Sequence, residues 1–334
     1  MSGNGKEKKM KQIVLVAETG SDINPVLAAE YNIKIVPMHV SFDHETMEDG
    51  AFPVEKIVDY YEETGKLPKT SGSTPGDFET AFDRIHAEYP DAQLLYLAYS
   101  AVTTCSMQSA VLAAEERDYV TILDTKQVSA GQCNVVIAVA ELLRQHPDWT
   151  MAAAVRAAED LIARAKMCFM PENLEFLRAG GRVSNVAFLG AKLLNLHPVI
   201  EILNGKLVAT KKYRGKMKKV AVQMVTEYAE KYNLERDCLW FVWVVGFPDA
   251  VRQAVEEAAK ALGFKKTRWI QAGGVITTHG GPAAFGLAGF TRKKYEVDLK
   301  KNPFFLCFDR IYREGEKSYN IKIRKYRKTG KGRT

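Results

Sequence analysis

Two segments rich in hydroxyl groups stand between apolar, strand-like runs and helical patterns. Lys69–Pro75 carries four hydroxyls just before a helix that opens with Pro75, and Ser100–Ser106 carries four more. Such groups at a helix start can hold a carboxylate or phosphate, because N–H donors and the positive end of the helix dipole converge there. A helix cap uses only one hydroxyl. We therefore weigh an anion site against plain capping, and both segments could face the same anion.

A histidine and two arginines are the basic groups that could join such a site. His279 is flanked by threonines and by the sequence Gly-Gly-Pro. This setting is not typical of a core histidine, because glycines leave bare backbone close to whatever binds. Arg182 and Arg214 lie in the glycine-containing sequences GGRVS and YRG. The turn Ala17–Asp22 is interpreted more simply, with Ser21 or Asp22 as a helix cap.

The motifs that usually accompany catalysis are missing from the sequence. There is no GxxxxGK[ST], no GxGxxG after a strand, no GxSxG and no HExxH. We therefore expect no enzyme activity of the chain's own and no cofactor. The cysteines form no CxxC pair, so neither a disulfide framework nor a metal site is indicated. They are Cys105, Cys133, Cys168, Cys238 and Cys307.

Strand-like runs and helical patterns alternate in the first half of the chain, which favours a parallel sheet with helices on both faces. The runs are Ile13–Val16, Ile33–Val40, Leu94–Tyr99 and Val120–Leu123. The helical patterns are Asn24–Tyr31, Pro53–Glu63, Pro75–Glu88, Ser106–Glu116, Ala130–Arg144 and Thr150–Lys166. Ligands of such sheets bind beyond the carboxyl ends of the strands.

The second half predicts a smaller α/β arrangement with a mixed sheet. Val199–Thr210 is interpreted as a hairpin that turns at Asn204-Gly205, because Asn-Gly suits a type I′ turn. Further strands are predicted at Met167–Met170, Leu239–Val245 and Val275–Thr278, with helices at Lys216–Tyr232 and Pro248–Leu262. In the tail, Phe304–Tyr312 and Tyr319–Tyr326 form a plausible strand pair.

Length, charge and the chain start complete the outline. The 334 residues suggest two lobes, and 46% apolar residues suffice for a core. Residues 291–334 carry 15 Lys and Arg against 5 Asp and Glu, so the basicity belongs to a tail and nucleic-acid binding is not expected. Without a signal-like apolar start, a cytoplasmic protein is predicted. The predicted parts are residues 1–11 (basic extension), 12–165 (N-terminal lobe), 166–290 (C-terminal lobe) and 291–334 (basic extension).

An ordered series of motifs resembles the DegV family from about Gln12 to Phe290. The series comprises TGSD, DG, KTSGSTP, the Ser100 segment, LDT, LRAGGRVSNVAFLGAKLL, NGKL, KKYRGKMKK and THGGPAAFG. The resemblance implies a two-lobe α/β fold that buries one fatty acid, with the carboxylate near the lobe interface. It also implies service as the acyl-binding subunit of bacterial fatty acid kinase, hence a lipid-binding protein that is not itself an enzyme.

The resemblance also implies roles for individual residues. The carboxylate-binding set that it implies is Thr70, Ser71, Ser100, Thr104 and His279. Arg182 and Arg214 are implied to face the phosphoryl group or the partner. The sequence departs from the family pattern at Glu18, at Gly72-Ser73, at Ala101, where a second serine is common, at Cys105 and at His197.

The expected partners are a long-chain fatty acid such as palmitate, stearate or oleate and the kinase subunit, with transient membrane contact through a basic segment. Two alternatives remain open. One is a stand-alone lipid sensor or carrier without a kinase partner, in which the arginines are structural. The other is an enzyme that acts alone on small phosphorylated substrates, although no nucleotide loop supports it.

Overall fold

The computed structural model describes residues 12–172, 174–183 and 196–293, and those up to Arg292 belong to one compact unit. Its strands are β1 Ile13–Glu18, β2 Ile33–Val36, β3 His39–Phe42, β4 Glu45–Glu48, β5 Lys69–Ser71, β6 Gln93–Ala98, β7 Val120–Asp124, β8 Ala165–Met170, β9 Leu196–Leu203, β10 Lys206–Arg214, β11 Leu239–Trp243, β12 Thr267–Gln271 and β13 Phe285–Phe290. Its α-helices are α1 Pro25–Tyr31, α2 Glu55–Thr64, α3 Pro75–Glu88, α4 Ser106–Ala113, α5 Ser129–Gln145, α6 Met151–Arg164, α7 Leu174–Gly180, α8 Met217–Lys231, α9 Asp249–Ala261 and α10 Gly274–Gly280.

The first sheet is parallel, in the order β2-β1-β6-β7. On one face, Val16 and Tyr96 pack against Phe78 and Phe82 of α3. On the other, Leu95 belongs to a cluster that includes much of α5. Alternate residues of a strand point to opposite faces, so a strand that is apolar throughout needs helices on both sides. The predicted parallel sheet with helices on both faces is confirmed.

The second sheet has six strands in the order β10-β9-β8-β13-β11-β12 and is mixed, since β11 and β12 run parallel while its other pairs are antiparallel. The predicted hairpin is present, with positive φ at Asn204 (50°) and Gly205 (82°), as a type I′ turn requires. Helix α5 packs against strands of both sheets, so its buried residues join the two halves of the core.

A small antiparallel sheet, in the order β4-β3-β5, corrects two predictions. The run Ile33–Val40 was expected to be one strand, but β2 ends at Val36 and β3 begins at His39. Pro37 explains the break, because proline lacks the N–H that a continuous strand would donate. Lys69–Ser71, expected as part of a turn, pairs with β3 as the strand β5. The register places Thr70 opposite Val40.

The predicted strand Val275–Thr278 is wrong, because these residues lie in helix α10. β-Branched residues favour strands, so the local sequence is misleading here. The strands that complete this sheet are β12 and β13, and neither was predicted. Gly286 and Gly289 weaken the strand pattern of β13, which explains why this strand was missed. Glycine fits at position 286 because a Cβ there would lie only 2.9 Å from the carbonyl oxygen of Cys168 on β8.

The predicted lobe boundary, the predicted strand pair of the tail and the two basic extensions all stay predictions. Ala165, the predicted end of the N-terminal lobe, is the first residue of β8. The predicted strand pair Phe304–Tyr312 and Tyr319–Tyr326 lies outside the described residues, as do both basic extensions except for residues 291–293.

Candidate functional site

An apolar cavity lies where residues of α5, α7, α10, strands of the small and the six-stranded sheets, and the segment that follows β6 meet. It encloses about 870 Å³ free of protein atoms, part of it open to solvent. Its apolar lining comprises Met38, Tyr99, Val128, Met167, Phe169, Leu177, Leu207, Val242, Val244, Val275, Ile276, Ala284 and Phe285. A surface of this kind takes up hydrocarbon and offers few partners to a polar molecule.

The same cavity is also lined by hydroxyl groups from both hydroxyl-rich segments and by one guanidinium group. They belong to Thr70, Ser71, Thr103, Thr104 and Arg182. His279 lines it as well, and its Nε2 lies 2.8 Å from Thr70 Oγ1. Of the seven residues predicted for the site, five therefore reach one cavity.

The backbone around His279 brings these groups together. A Cβ on Gly180 would collide with His279 Nδ1, so the imidazole lies directly against the end of α7. Arg182 follows this helix end and donates to the carbonyl oxygens of Gly180 (2.7 Å) and Thr103 (3.3 Å). The arginine thus connects the imidazole with the Ser100–Ser106 segment, far away in sequence.

A second contact joins the two hydroxyl-rich segments. A Cβ on Gly72 would collide with Thr104 Oγ1 and would lie 2.6 Å from Ser106 Oγ. Ser106 Oγ lies 3.2 Å from Thr104 Oγ1 and accepts the N–H of Ser73 at 3.1 Å. Bare backbone at position 72 lets the two turns meet, and the expectation that both face the same anion stays a prediction.

His279 is held as a neutral base. Burial, together with the smaller effect of the nearby positive charge of Arg182, lowers its pKa from the ordinary 6.5 to about 4. Nδ1 has no hydrogen-bond partner among the described residues, whereas Nε2 faces Thr70. In the tautomer with the proton on Nε2, Nδ1 carries no hydrogen that would need a partner. The imidazole can then donate from Nε2 to Thr70 Oγ1.

Two predicted site residues do not line the cavity. Ser100 is fully buried and donates its hydroxyl to the carbonyl oxygen of Gly205 at 2.8 Å. This differs from the predicted contact with a carboxylate, because the hydroxyl proton is used by the hairpin turn. Arg214 ends β10 as an exposed residue. Its proposed contact with a partner stays a prediction.

Two buried carboxyl groups next to the cavity were not predicted as site residues. Glu18 accepts the Tyr99 N–H at 3.1 Å and Gln132 Nε2 at 2.8 Å, and it bonds the Tyr96 hydroxyl. Burial raises the pKa of Glu18 to about 7 despite these bonds. The signal in the sequence was an acidic residue directly after an apolar strand, a place where an unpaired charge is costly.

The second carboxyl group is Asp22, and it corrects the capping prediction. The cap of α1 is Asn24, which accepts the Leu27 N–H at 2.9 Å, and neither Ser21 nor Asp22 caps it. Asp22 instead accepts the Gly273 N–H at 2.8 Å and bonds the Ser129 hydroxyl. Its partners lie 251 and 107 residues away, which local sequence patterns do not reveal.

Neither a cluster of metal-ligating side chains nor a membrane-spanning helix is found in the part of the chain that the structure describes. No group of three or more His, Cys, Asp or Glu side chains there is arranged to hold a metal ion. None of the helices described is both long and apolar enough to span a bilayer. The polar side chains that line the cavity bring hydroxyl, imidazole and guanidinium groups to it.

Together, these features define an α/β protein whose interior cavity is mainly apolar and carries a few polar groups, a combination that suits a ligand with an apolar body and a polar head. The DegV family, described as uncharacterised proteins, matches residues 12–292, and the chain belongs to this family. A DegV domain-containing protein from Deinococcus radiodurans is 29% identical over 280 residues, which cover 83% of this chain and 97% of that protein. A Thermotoga maritima protein named fatty acid-binding protein is 27% identical over 294 residues, covering 85% and 100%.

Solved structures share the fold. A DegV family protein from Thermus thermophilus, described as binding fatty acid, aligns with a TM-score of 0.76 and 26% identity over 84% of this chain and all of its own. The fatty acid kinase B3 protein of Streptococcus pneumoniae, solved with linoleic acid, aligns with a TM-score of 0.73 and 16% identity over 84% of this chain and all of its own. The resemblance found in the motifs and the predicted fold class are confirmed.

Proposed function

We propose that the protein binds one long-chain fatty acid, such as palmitate, stearate or oleate, and presents its carboxylate to a separate kinase subunit. The observation that carries the proposal is the pair Thr70 and His279 at a predominantly apolar cavity. The names of several relatives, which refer to fatty-acid binding, support the ligand class. The kinase partner is supported by the name of one structural neighbour and by the motifs that resemble the family.

The head group would be held by a relay of hydrogen bonds. With its proton on Nε2, neutral His279 would donate to Thr70 Oγ1, which would leave the threonine hydroxyl proton free for a carboxylate oxygen. Ser71 and Thr104 supply further hydroxyls from the same cavity, and Arg182 supplies positive charge. A charged acceptor makes these bonds stronger than bonds between neutral groups.

The hydrocarbon tail would supply most of the affinity. Each buried methylene contributes about 0.8 kcal/mol, so a sixteen-carbon chain gives roughly 12 kcal/mol as an upper bound. The apolar lining offers no hydrogen bonds that would compete with this transfer. Head-group contacts then decide the orientation of the ligand and the preference for an acid.

Acyl-phosphate formation needs the carboxylate to remain reachable by a second protein. A carboxylate oxygen would attack the γ-phosphorus of ATP, and ADP would leave as the bond to the bridging oxygen breaks. ATP and Mg²⁺ would come from the kinase subunit. Arg182 is the cation nearest the head in the described structure, whereas exposed Arg214 is suited to contact the partner.

Lipid extraction and reconstitution test the two parts of the proposal separately. Mass spectrometry of lipid from the purified protein, together with titration by palmitate, tests binding. Incubation with a bacterial fatty acid kinase subunit, ATP, Mg²⁺ and palmitate tests presentation. Acyl phosphate supports the kinase role, and intact binding without acyl phosphate favours a stand-alone carrier or sensor. No lipid and no uptake would contradict the whole proposal.

A further inference from the structure

We propose that Asp22 and Asp49 are positioning residues that hold the start of helix α10 and thereby place His279 against Thr70. The inference rests on the proposed function, because it concerns the group that would orient the carboxylate. Neither aspartate lines the apolar cavity, so neither would touch the ligand there. Both would act through the helix that carries the histidine.

The two carboxyl groups take two consecutive backbone N–H groups. Asp22 Oδ1 accepts the N–H of Gly273 at 2.8 Å, and Asp49 Oδ1 accepts the N–H of Gly274 at 2.7 Å. The aspartates come from different segments of the first half of the chain, 251 and 225 residues before their partners. We call this arrangement the aspartate clasp.

Helix α10 is unusually dependent on such support. It has seven residues, and a helix this short is unstable in water by itself. Four of its residues are β-branched, which lowers helix propensity further. Its N-cap residue, Gly273, has no side chain that could cap the helix. Hydrogen bonds from outside the helix must therefore define where it begins.

The glycines at the start of α10 fit the clasp closely. A Cβ on Gly274 would lie 2.9 Å from Asp49 Oδ1 and 2.7 Å from Phe52 Cζ. A Cβ on Gly273 would lie 3.3 Å from Asp49 Oδ1 and 3.5 Å from Asp22 Oδ1. Bare backbone at Gly274 therefore lets the Asp49 carboxyl group approach at hydrogen-bond distance.

The other end of the helix fixes the imidazole. His279 lies one turn and a half beyond the clasp, its Nε2 bonded to Thr70 and its ring packed on Gly180. Gly281 follows the helix with a φ of 74°, and a Cβ there would lie 2.9 Å from Phe176 Cγ. A helix held at its start and packed at its end gives the imidazole one position.

The burial of the two carboxyl groups argues against a minor surface role. Burial raises the pKa of Asp22 to about 8, although the Gly273 N–H and the Ser129 hydroxyl oppose the shift. Burial likewise raises the pKa of Asp49, opposed by the Gly274 and Val275 N–H groups. Burying a carboxyl group costs free energy unless it is hydrogen-bonded. The bonds to the N–H groups of Gly273 and Gly274 therefore compensate for the lost contact with water.

The test compares alanine and asparagine at both positions. Asparagine keeps an oxygen acceptor for the N–H group, and alanine does not. We measure affinity for palmitate and for hexadecanol, which shares the chain but lacks the carboxylate. Asp49→Ala and Asp22→Ala should lower palmitate affinity about tenfold while changing hexadecanol affinity less than about twofold. Asp49→Asn and Asp22→Asn should retain most of the wild-type preference.

Asn24→Ala is the matched control, because it removes the cap of another helix a few residues from Asp22. It should lower the melting temperature without changing the palmitate-to-hexadecanol ratio. If the alanine variants lose affinity for both ligands equally, the palmitate-to-hexadecanol ratio stays unchanged, as in this control. The aspartates would then have only a general structural role, and the proposal would be overturned.

A second readout needs no lipid. NMR titration of His279, assigned from the spectrum of His279→Gln, should show its pKa rising toward the ordinary value in the alanine variants only, because the ring gains access to water. An unchanged His279 titration would contradict the clasp even if lipid binding failed altogether. A wild type that binds neither ligand would refute the proposed function while leaving this readout decisive.

If an alanine variant fails to fold, Gly273→Ala provides the same test. Its added methyl group would lie 3.3 Å from Asp49 Oδ1, so it pushes the Asp49 carboxyl group away by a few tenths of an ångström and removes no acid. A lowered palmitate-to-hexadecanol ratio supports the clasp, and an unchanged ratio overturns it.

Discussion

Thr70 Oγ1 lies 2.8 Å from His279 Nε2, although 209 residues separate them in the sequence. Thr70 comes from the small three-stranded sheet, and His279 comes from the last turn of a helix that follows a strand of the six-stranded sheet. Their contact therefore exists only when both halves of the compact unit are folded. It is also the one side-chain hydrogen bond between two predicted site residues among those described.

Replacing Thr70 by valine should weaken fatty-acid binding while preserving the shape of the site. The hydroxyl that faces His279 is lost, and a lost hydrogen bond to a charged group costs about 1.5–3 kcal/mol, roughly 10- to 150-fold in affinity. Titration with palmitate measures the change. Thr46→Val, in the same small sheet and bonded to Ser41, is the control and should bind like the wild type.

Gly180→Ala should disturb the head-group site from the opposite side of the imidazole. The added methyl group would collide with His279 Nδ1 and displace the ring, which would distort its hydrogen bond with Thr70. We expect roughly tenfold weaker palmitate binding, on the scale of one lost hydrogen bond to a charge. Gly76→Ala, whose Cβ would contact only Thr74 Oγ1 at 3.9 Å, should have no such effect. Wild-type affinity in Gly180→Ala would show that the position of the ring is unimportant.

The two arginines should separate lipid binding from phosphoryl transfer. Arg182→Ala and Arg214→Ala are expected to retain most of the palmitate affinity, because the tail supplies it, and to reduce acyl-phosphate formation at least tenfold through loss of positive charge. Arg182→Ala alone should also raise the pKa of His279, since a nearby cation is removed. Arg156→Ala, exposed on α6, is the control.

If Arg182→Ala and Arg214→Ala weaken palmitate binding equally and strongly, both belong to the binding site and the assignment is incorrect. Loss of acyl phosphate in Arg156→Ala as well would indicate a general effect of surface charge.

The stability of the protein should depend on Glu18 between about pH 4.5 and pH 7. The folded-state pKa of about 7 lies above the ordinary 4.5, so the folded state binds the proton more tightly. This contribution to stability is fully present below pH 4.5 and is lost as the pH rises toward 7, by on the order of 3 kcal/mol. Asp22 acts in the same direction, whereas His279 opposes it below pH 6.5.

Denaturant unfolding of wild type and Glu18→Gln across this range isolates the effect, because glutamine does not titrate. As the pH rises from 4.5 to 7, the unfolding free energy of the wild type should fall relative to that of Glu18→Gln. A difference that is independent of pH would mean that Glu18 has an ordinary pKa. Glu141→Gln, partly exposed, serves as the comparison.

The sequence was informative where local chemistry decides the structure. Thr74 begins α3 in a capping box with Asp77, and Asn-Gly at 204–205 makes the hairpin turn, since both depend on neighbours in sequence. The apolar runs predicted β1, β6 and β11 because burial on both faces leaves a plain pattern. The order of the motifs then identified the family.

The sequence by itself determined the fold class, the family and the set of polar residues from which a site could be built. The tertiary structure decided which of them meet: Thr70, Ser71, Thr104, Arg182 and His279 reach the cavity, whereas the hydroxyl of Ser100 is used by Gly205. It also decided that the β-branched run Val275–Thr278 is helical. The physical reason is the same in both cases. Hydrogen-bond partners such as Asp22 and Asp49 lie more than 200 residues from Gly273 and Gly274, and contacts of that range outweigh local propensity only once the chain is folded.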